Sequence, residues 1–249
     1  MIQDWFESAF DSDYLKLYAH RSEEEAEKTV GWLIDMVGLG AGRRVLDAPC
    51  GAGRHARAFV KRGMKVVGVD LSRDLLAAAR SQSTPAERHQ WVRADIRALP
   101  VQTSAFDLVV NIFSSFGYFF DEAENWRVLA ELVRALKSGG TLVLDFMNAP
   151  YIRANLVPFS ERTTTEGWRV REWRRIAGTP ARVEKRVLVE FGDGRERQIM
   201  ESVRLYEPDE LIAAFQGLQL ADIRRFGDYA GAAWSEASPR TILIARKPA

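Results

Sequence analysis

The sequence predicts an α/β fold, a doubly wound and mostly parallel sheet with an antiparallel β insertion after its fifth strand. Three observations predict it. Strands alternate with amphipathic helices between about residues 22 and 147, and a glycine-rich loop joins the first strand to the next helix. From Trp168 onward, strand-like segments then follow one another with no helix between them.

Each element has its own signal. Ser22-Glu23-Glu24-Glu25 has capping-box spacing and opens a helix that places Ala26, Val30, Leu33, Ile34 and Val37 near one face. The glycines Gly38, Gly40 and Gly42 stop it. Arg44-Val45-Leu46-Asp47 reads as a short buried strand, followed by the glycine loop and a helix to about Arg62. Lys65 to Asp70 is the second strand, and Ser72 caps a helix to about Arg80. His89 to Asp95, Phe106 to Phe113 and Gly140 to Phe146 supply strands three to five, with a helix from Asn125 to Leu136 before the last.

The character then changes. Trp168 to Ile176, Val183 to Phe191 and Arg197 to Tyr206 form the insertion, with Gly192-Asp193-Gly194 as a hairpin turn. Pro208 starts a helix to about Phe215, and Leu218 to Phe226 and Arg240 to Ala245 close the sheet. The expected division is an N-terminal helical lid over 1–38 and a cofactor-binding core over 39–150. The insertion at 151–206 would act as a lid or homodimer surface, and 207–249 would complete the core sheet.

Composition limits the function. A chain of 249 residues suffices for one sizeable core with an insertion. A formal net charge of +1 gives no support to a purely electrostatic nucleic-acid or membrane-surface role. Cys50 is the only cysteine, so an intramolecular disulfide and a cysteine-built zinc site are excluded, and no metal is expected. The acidic N-terminus lacks the plan of a secretory signal, and no apolar run approaches the ~20 residues that span a bilayer. The expected location is cytoplasmic.

The loop Asp47-Ala48-Pro49-Cys50-Gly51-Ala52-Gly53 carries the sharpest chemistry. It lies between a strand and a helix, where backbone N–H groups can approach an anion. Gly51-x-Gly53-x-x-Ala56 also fits the dinucleotide fingerprint, so the loop alone leaves a nicotinamide-dependent oxidoreductase open. Asp47 discriminates. A carboxylate just before the turn would repel a pyrophosphate but suits an ammonium or sulfonium, which S-adenosylmethionine has. Asp70, at the end of the second strand, can accept from ribose hydroxyls. Asp95 can accept from an adenine amino group with Ile96 against the ring, while Asp107 reads as a structural charge.

The series Val45-Leu46-Asp47-x-x-Cys50-Gly51-x-Gly53-Arg54-His55, Val67-x-Val69-Asp70-Leu71-Ser72, Ala94-Asp95-Ile96 and Phe106-Asp107-Leu108-Val109 resembles the class I S-adenosylmethionine-dependent methyltransferases over residues 40 to 147. The resemblance implies that Asp47 and Gly51 hold the methionine end, Asp70 the ribose with Leu71 against the adenine, and Asp95 and Ile96 the adenine pocket. Ala48, Cys50, Gly53 and Asn111 complete the candidate cofactor contacts. Pro49 departs from the pattern: it stands where many members have the loop's first glycine, and it brings no N–H.

The acceptor end is sketched by Asn111-Ile112-Phe113-Ser114-Ser115-Phe116-Gly117-Tyr118, small hydroxyls and aromatics where a parallel sheet opens to ligand. With the insertion, this stretch is similar to the amino-sugar N-methyltransferases, and more loosely to small-amine methyltransferases acting on glycine. Tyr14 and Tyr18 share a helical face in the N-terminal segment and are candidates to close the site, the alternative being an amphipathic helix packed on the domain. Tyr14, His20, Ser114, Ser115 and Tyr118 are the candidate catalytic or orienting residues. His55 sits at a positive helix end that disfavours its protonation, so it is expected to pack the cofactor loop. Trp168 to Arg175 alternates cations with tryptophans, either a solvated strand face or a basic surface for a phosphorylated substrate or RNA. The expected reaction is in-line methyl transfer to a small molecule, nitrogen favoured over oxygen; an oxidoreductase and an RNA-directed methyltransferase or binding module are the alternatives.

Overall fold

A computed structural model describes residues 4–19, 21–84 and 89–249. The predicted α/β fold is observed. A seven-stranded sheet runs β10-β11-β5-β4-β1-β2-β3, and a separate four-stranded antiparallel sheet runs β6-β7-β8-β9. The strands of the large sheet are β1 (Arg44–Asp47), β2 (Lys65–Asp70), β3 (His89–Arg93), β4 (Phe106–Asn111), β5 (Leu136–Met147), β10 (Ala221–Phe226) and β11 (Arg240–Arg246). The first five are mutually parallel, and β11 slots antiparallel between β5 and β10. Strand order reverses between β1 and β4, so a crevice for ligand opens beyond their carboxyl ends.

Residue alternation splits the core into two layers. Val45, Leu108, Val110, Val143, Ile242 and Ile244 face α3 (Glu23–Val37) and α4 (Arg54–Lys61). Leu46, Val109, Leu142, Leu144, Leu243 and Ala245 face α6 (Glu122–Ala135) and α8 (Pro208–Gly217). Predicted caps recur: the Ser22 side chain accepts from the Glu25 N–H, and Ser72 from the Leu75 N–H at the start of α5 (Arg73–Ser81). Gly38 ends α3 in the left-handed region.

Several boundaries differ from expectation. The helix α6 starts at Glu122 rather than Asn125, because the Asp121 side chain accepts from the Ala123 N–H and caps it. Strand β4 stops at Asn111 rather than Phe113, since Phe113 and Ser114 take positive φ. Two elements were missed: α7 (Ala149–Asn155), with proline in its first turn, and β6 (Phe159–Thr163), a polar edge strand with no apolar alternation. The insertion proper is β6, β7 (Arg169–Ala177), β8 (Arg182–Glu190) and β9 (Glu196–Arg204). The N-terminal segment forms two short helices, α1 (Trp5–Ala9) and α2 (Ser12–Leu17).

Candidate active site

A cavity of about 690 Å³ lies at the carboxyl ends of β1 to β5. Cys50, Gly51 and Ala52 line it after β1, Asp70 and Leu71 after β2, Asp95 and Ile96 after β3, Ser114, Ser115 and Tyr118 after β4, and Met147 at the end of β5. The N-terminal segment contributes Trp5, Phe6, Phe10, Tyr14 and Tyr18, and the second sheet contributes Arg174, Val183, Lys185, Glu201 and Val203.

Where β2 meets the cavity, Asp70 is the hub. One of its carboxylate oxygens accepts from the Gly51 N–H at 2.7 Å and the other from the Ser72 N–H at 2.8 Å. Each oxygen keeps acceptor capacity for a ligand diol. Burial raises its pKa. Three of the loop's N–H groups are already engaged within the chain: those of Cys50, Gly51 and Gly53 are given to Val69, Asp70 and Cys50. Leu71 and Ile96 add apolar walls. A sulfonium nucleoside fits this set of donors and acceptors better than a dinucleotide does.

Four expected cofactor contacts are absent from the cavity wall. Asp47 is 1 % exposed beneath the loop, because the chain turns at Ala48–Pro49 and presents Cys50 and Gly51 instead. Neither carboxylate oxygen of Asp47 makes a well-formed hydrogen bond among the described residues. Burial, helped by the Asp70 charge and opposed more weakly by Arg54 and the Ala56 N–H, raises its pKa to about 8. Ala48 is buried and its N–H goes to the Val110 carbonyl. The Asn111 amide donates to the carbonyls of Ala48 at 2.9 Å and Ser115 at 3.2 Å, tying β1 to the loop after β4. Gly53 faces Trp91: a Cβ there would collide with the indole, as would one at Gly68. Beyond β3, Asp95 lines the cavity but already grips Arg97 through both oxygens. Despite partial burial, that contact holds its carboxyl below the usual range.

The serine loop is held from two sides. The Phe113 N–H donates to the Asp145 carboxylate at 2.8 Å and the Ser114 N–H to the Asp145 carbonyl at 3.0 Å. Arg240 reaches from β11 to the same carboxylate and donates to the Ser114 hydroxyl at 3.0 Å. The Ser115 hydroxyl donates to the Ile112 carbonyl at 3.0 Å. Tyr118 packs against Trp5, with ring centroids 4.8 Å apart.

The N-terminal helices bridge core and insertion. The Ser72 hydroxyl donates to the Phe10 carbonyl, while Arg197 on β9 pairs with Asp11 at 2.5 Å and donates to the Ser8 carbonyl at 2.8 Å. Tyr14 and Tyr18 do share a face, 4.6 Å apart, and Arg21 donates to the Tyr14 hydroxyl at 2.5 Å. On β8, Lys185 pairs with Glu201 at 2.8 Å and donates to the Tyr18 hydroxyl at 2.8 Å. Although burial opposes its charge, Glu201 and Tyr18 hold the Lys185 pKa above its ordinary value. Burial and Glu201 raise Tyr18 to about 12, and burial raises Tyr14 and Tyr118 as well.

Sequence reasoning missed Lys185, Glu201 and Arg240, and held Arg174 only as part of the Trp168–Arg175 stretch. Strand parity carried a signal for three of them: Lys185 shares the face of Val187 and Val189, Glu201 that of Ile199, and Arg174 that of Val170. His20 lies outside the described residues. His55 is buried against Phe113, ring centroids 5.2 Å apart, and burial with the neighbouring Arg54 keeps it neutral. The Cys50 thiol is pushed up by burial and the Asp47 charge. The cations of the Trp168–Arg175 stretch are not a free basic surface: Arg169, Arg171, Arg174 and Arg175 each pair with a glutamate of the same sheet. Among the described residues no cluster of His, Cys, Asp or Glu could hold a metal ion, and no helix is long and apolar enough to cross a membrane.

Residues 45–140 match the methyltransferase domain family. The dTDP-3-amino-3,4,6-trideoxy-alpha-D-glucopyranose N,N-dimethyltransferase of Streptomyces venezuelae is 34% identical over 101 residues, 41% of each chain. The chain spans about two fifths of the length of the first curated relatives it matches. Among solved structures, the CcbJ methyltransferase of Streptomyces caelestis superposes over 100% of both chains with a TM-score of 0.81 at 17% identity. CalS10 from Micromonospora echinaspora, an amino pentose methyltransferase with S-adenosylmethionine bound, covers 95% of this chain and 97% of its own. Its TM-score is 0.71 at 24% identity. Residues 45–140 thus carry a methyltransferase domain, and the whole chain has the fold of these solved methyltransferases, with a cavity whose carboxylate and apolar walls suit a sulfonium nucleoside.

Proposed function

We propose that the protein transfers a methyl group from S-adenosylmethionine to a nitrogen of a small-molecule acceptor by direct in-line displacement. The observation that carries this reading is one continuous cavity, running from Gly51 and Asp70 past Ser114 and Tyr118 to the roof made by Lys185 and Glu201. Its volume, about 690 Å³, is that of a small-molecule site. In this reading residues 39–150 are the cofactor-binding core, residues 1–38 the lid, residues 151–206 the roof over the acceptor, and 207–249 the completion of the core sheet.

The cofactor supplies a methyl already activated on a sulfonium, so the chain contributes alignment and exclusion of water. Trp5, Phe10, Tyr14 and Tyr118 form the aromatic wall that excludes it. Ser114 and Ser115 orient the acceptor. Nitrogen is favoured because an amine arriving neutral needs no base, whereas a hydroxyl does. Tyr14, Tyr18 and Tyr118 are all held protonated, and the Glu201 carboxylate is paired with Lys185. The amino-sugar acceptors named for the Streptomyces venezuelae relative and for CalS10 make amino sugars the first acceptors to assay.

The test is release of S-adenosylhomocysteine across a panel of amines, amino sugars, alcohols and small acids. Turnover with at least one amine is expected; turnover with alcohols alone would overturn the nitrogen assignment. A parallel titration with S-adenosylhomocysteine and NADH should show binding of the first, and binding of NADH alone would remove the reading altogether.

A further inference from the structure

The loop after β4 is strained at two successive residues. Phe113 and Ser114 sit at φ 62° and 56°, the left-handed region that side-chain-bearing residues resist. Such a pair persists only where the surroundings over-determine it, and here they do. Asp145, wholly buried, takes both of the loop's N–H groups, one on its carboxylate and one on its carbonyl. Arg240 neutralises that carboxylate, at 2.7 Å through Nε and 2.6 Å through Nη2, and the same Nη2 donates to the Ser114 hydroxyl. The Phe113 ring is fixed on its other side by the Arg54 guanidinium at 4.2 Å.

We propose that Arg240 is a positioning residue for methyl transfer: through Asp145 and Ser114 it holds the loop facing the acceptor in its left-handed conformation. The inference rests on the function proposed above and assigns a role to β11, which otherwise only closes the sheet. Without Arg240, Asp145 is a buried charge with no cation beside it, and the site must admit water or shift the loop to relieve it. Either change weakens its hold on the Phe113 N–H and lets the loop relax toward right-handed backbone, moving Ser114 and Ser115 out of register with the reacting groups. Lysine cannot replace it fully, because one ammonium lacks the planar fork that spans the carboxylate and the hydroxyl together.

The experiment compares Arg240→Gln, Arg240→Lys, Ser114→Gly and the Arg240→Gln/Ser114→Gly double variant. Arg240→Gln should lower kcat about 10- to 100-fold, the scale of a misplacement near 1 Å. KM for S-adenosylmethionine should stay within about threefold, since a positioning contact acts after binding. Hydrogen exchange at the Phe113 and Ser114 amides should quicken by at least about tenfold, as the local opening that the pair suppresses becomes accessible. Arg240→Lys should fall between wild type and Arg240→Gln on both readouts and covers the case in which Arg240→Gln fails to fold. Glycine adopts the left-handed region freely, so in the Ser114→Gly background Arg240→Gln should cost no more than about threefold. An equal loss in both backgrounds with unchanged amide exchange would overturn the proposal, placing Arg240 in direct contact with ligand instead. The exchange measurement needs no turnover, so a wild-type protein that methylates no amine would defeat the proposed function while leaving this inference to its own readout.

Discussion

Asp47 carries a buried carboxylate with no well-formed hydrogen bond among the described residues, and its pKa stands at about 8 against an ordinary 3.8. The folded protein therefore binds this proton more tightly than the unfolded chain. The stability Asp47 confers is complete below pH 3.8 and is lost as pH rises through about 8. A cationic ligand in the cavity, across the loop from Asp47, would favour the ionised form through its field, so binding should release a proton and tighten as pH rises toward about 8. Asp47→Asn should raise the Tm of the ligand-free protein at about pH 8.5 by a few degrees while weakening S-adenosylmethionine binding about tenfold or more. Differential scanning calorimetry and titration calorimetry in buffers of different ionisation enthalpy read both arms, and a lowered Tm with unchanged affinity would contradict the assignment. Gly53 makes a second residue-scale point. Trp91 occupies the space of its Cβ and its φ is 78°, so Gly53→Ala should destabilise the fold by about 2 kcal/mol or more in urea unfolding. The sequence showed a glycine loop and a strand-end carboxylate; it did not show that Trp91, on another strand, is what requires Gly53. Nor did it show that the chain's turn puts Asp47 behind the loop rather than in the wall.

At the scale of elements, the second sheet and the N-terminal helices form one covering. The inner face of the sheet mixes apolar and charged residues, with Glu201, Lys185 and Arg174 in one row and Ile199, Val187 and Glu172 in the next. Parity along β7 to β9 is legible from the apolar residues alone, and extending it to the charged ones would have found the roof. The polar edge strand β6 and the short helix α7 carry no such pattern, which is why the sequence does not announce them. Arg197 fastens α2 to β9 through Asp11 and Asp13. Arg197→Ala should speed cofactor dissociation about tenfold, a loss equivalent to ~1.4 kcal/mol, with Tm moving by no more than about 2 °C. Stopped-flow displacement of bound S-adenosylhomocysteine measures this; an unchanged off-rate would show that the segment is a passive strut.

Across the whole molecule, the doubly wound order and the two core layers follow from strand–helix alternation and apolar runs that the sequence displays. The joins between distant segments do not, because they rest on side-chain amides with no local pattern. Asn148, just beyond β5, is fully buried and donates to the carbonyls of Ser235, Glu236 and Ser238. Asn148→Ala removes these bonds and leaves the buried Ser238 carbonyl without this donor, while Ser235 keeps the Ser238 N–H; it should cost about 2 kcal/mol in urea unfolding with the slope unchanged.

The N-terminal segment is tied at both ends of the cavity: the Phe10 carbonyl is bound at the cofactor end by Ser72, and Tyr18 is bound at the roof by Lys185. One short stretch of chain thus lines both ends of the cavity, and under the proposed function a single opening of that stretch would release both products, its rate setting the ceiling on turnover.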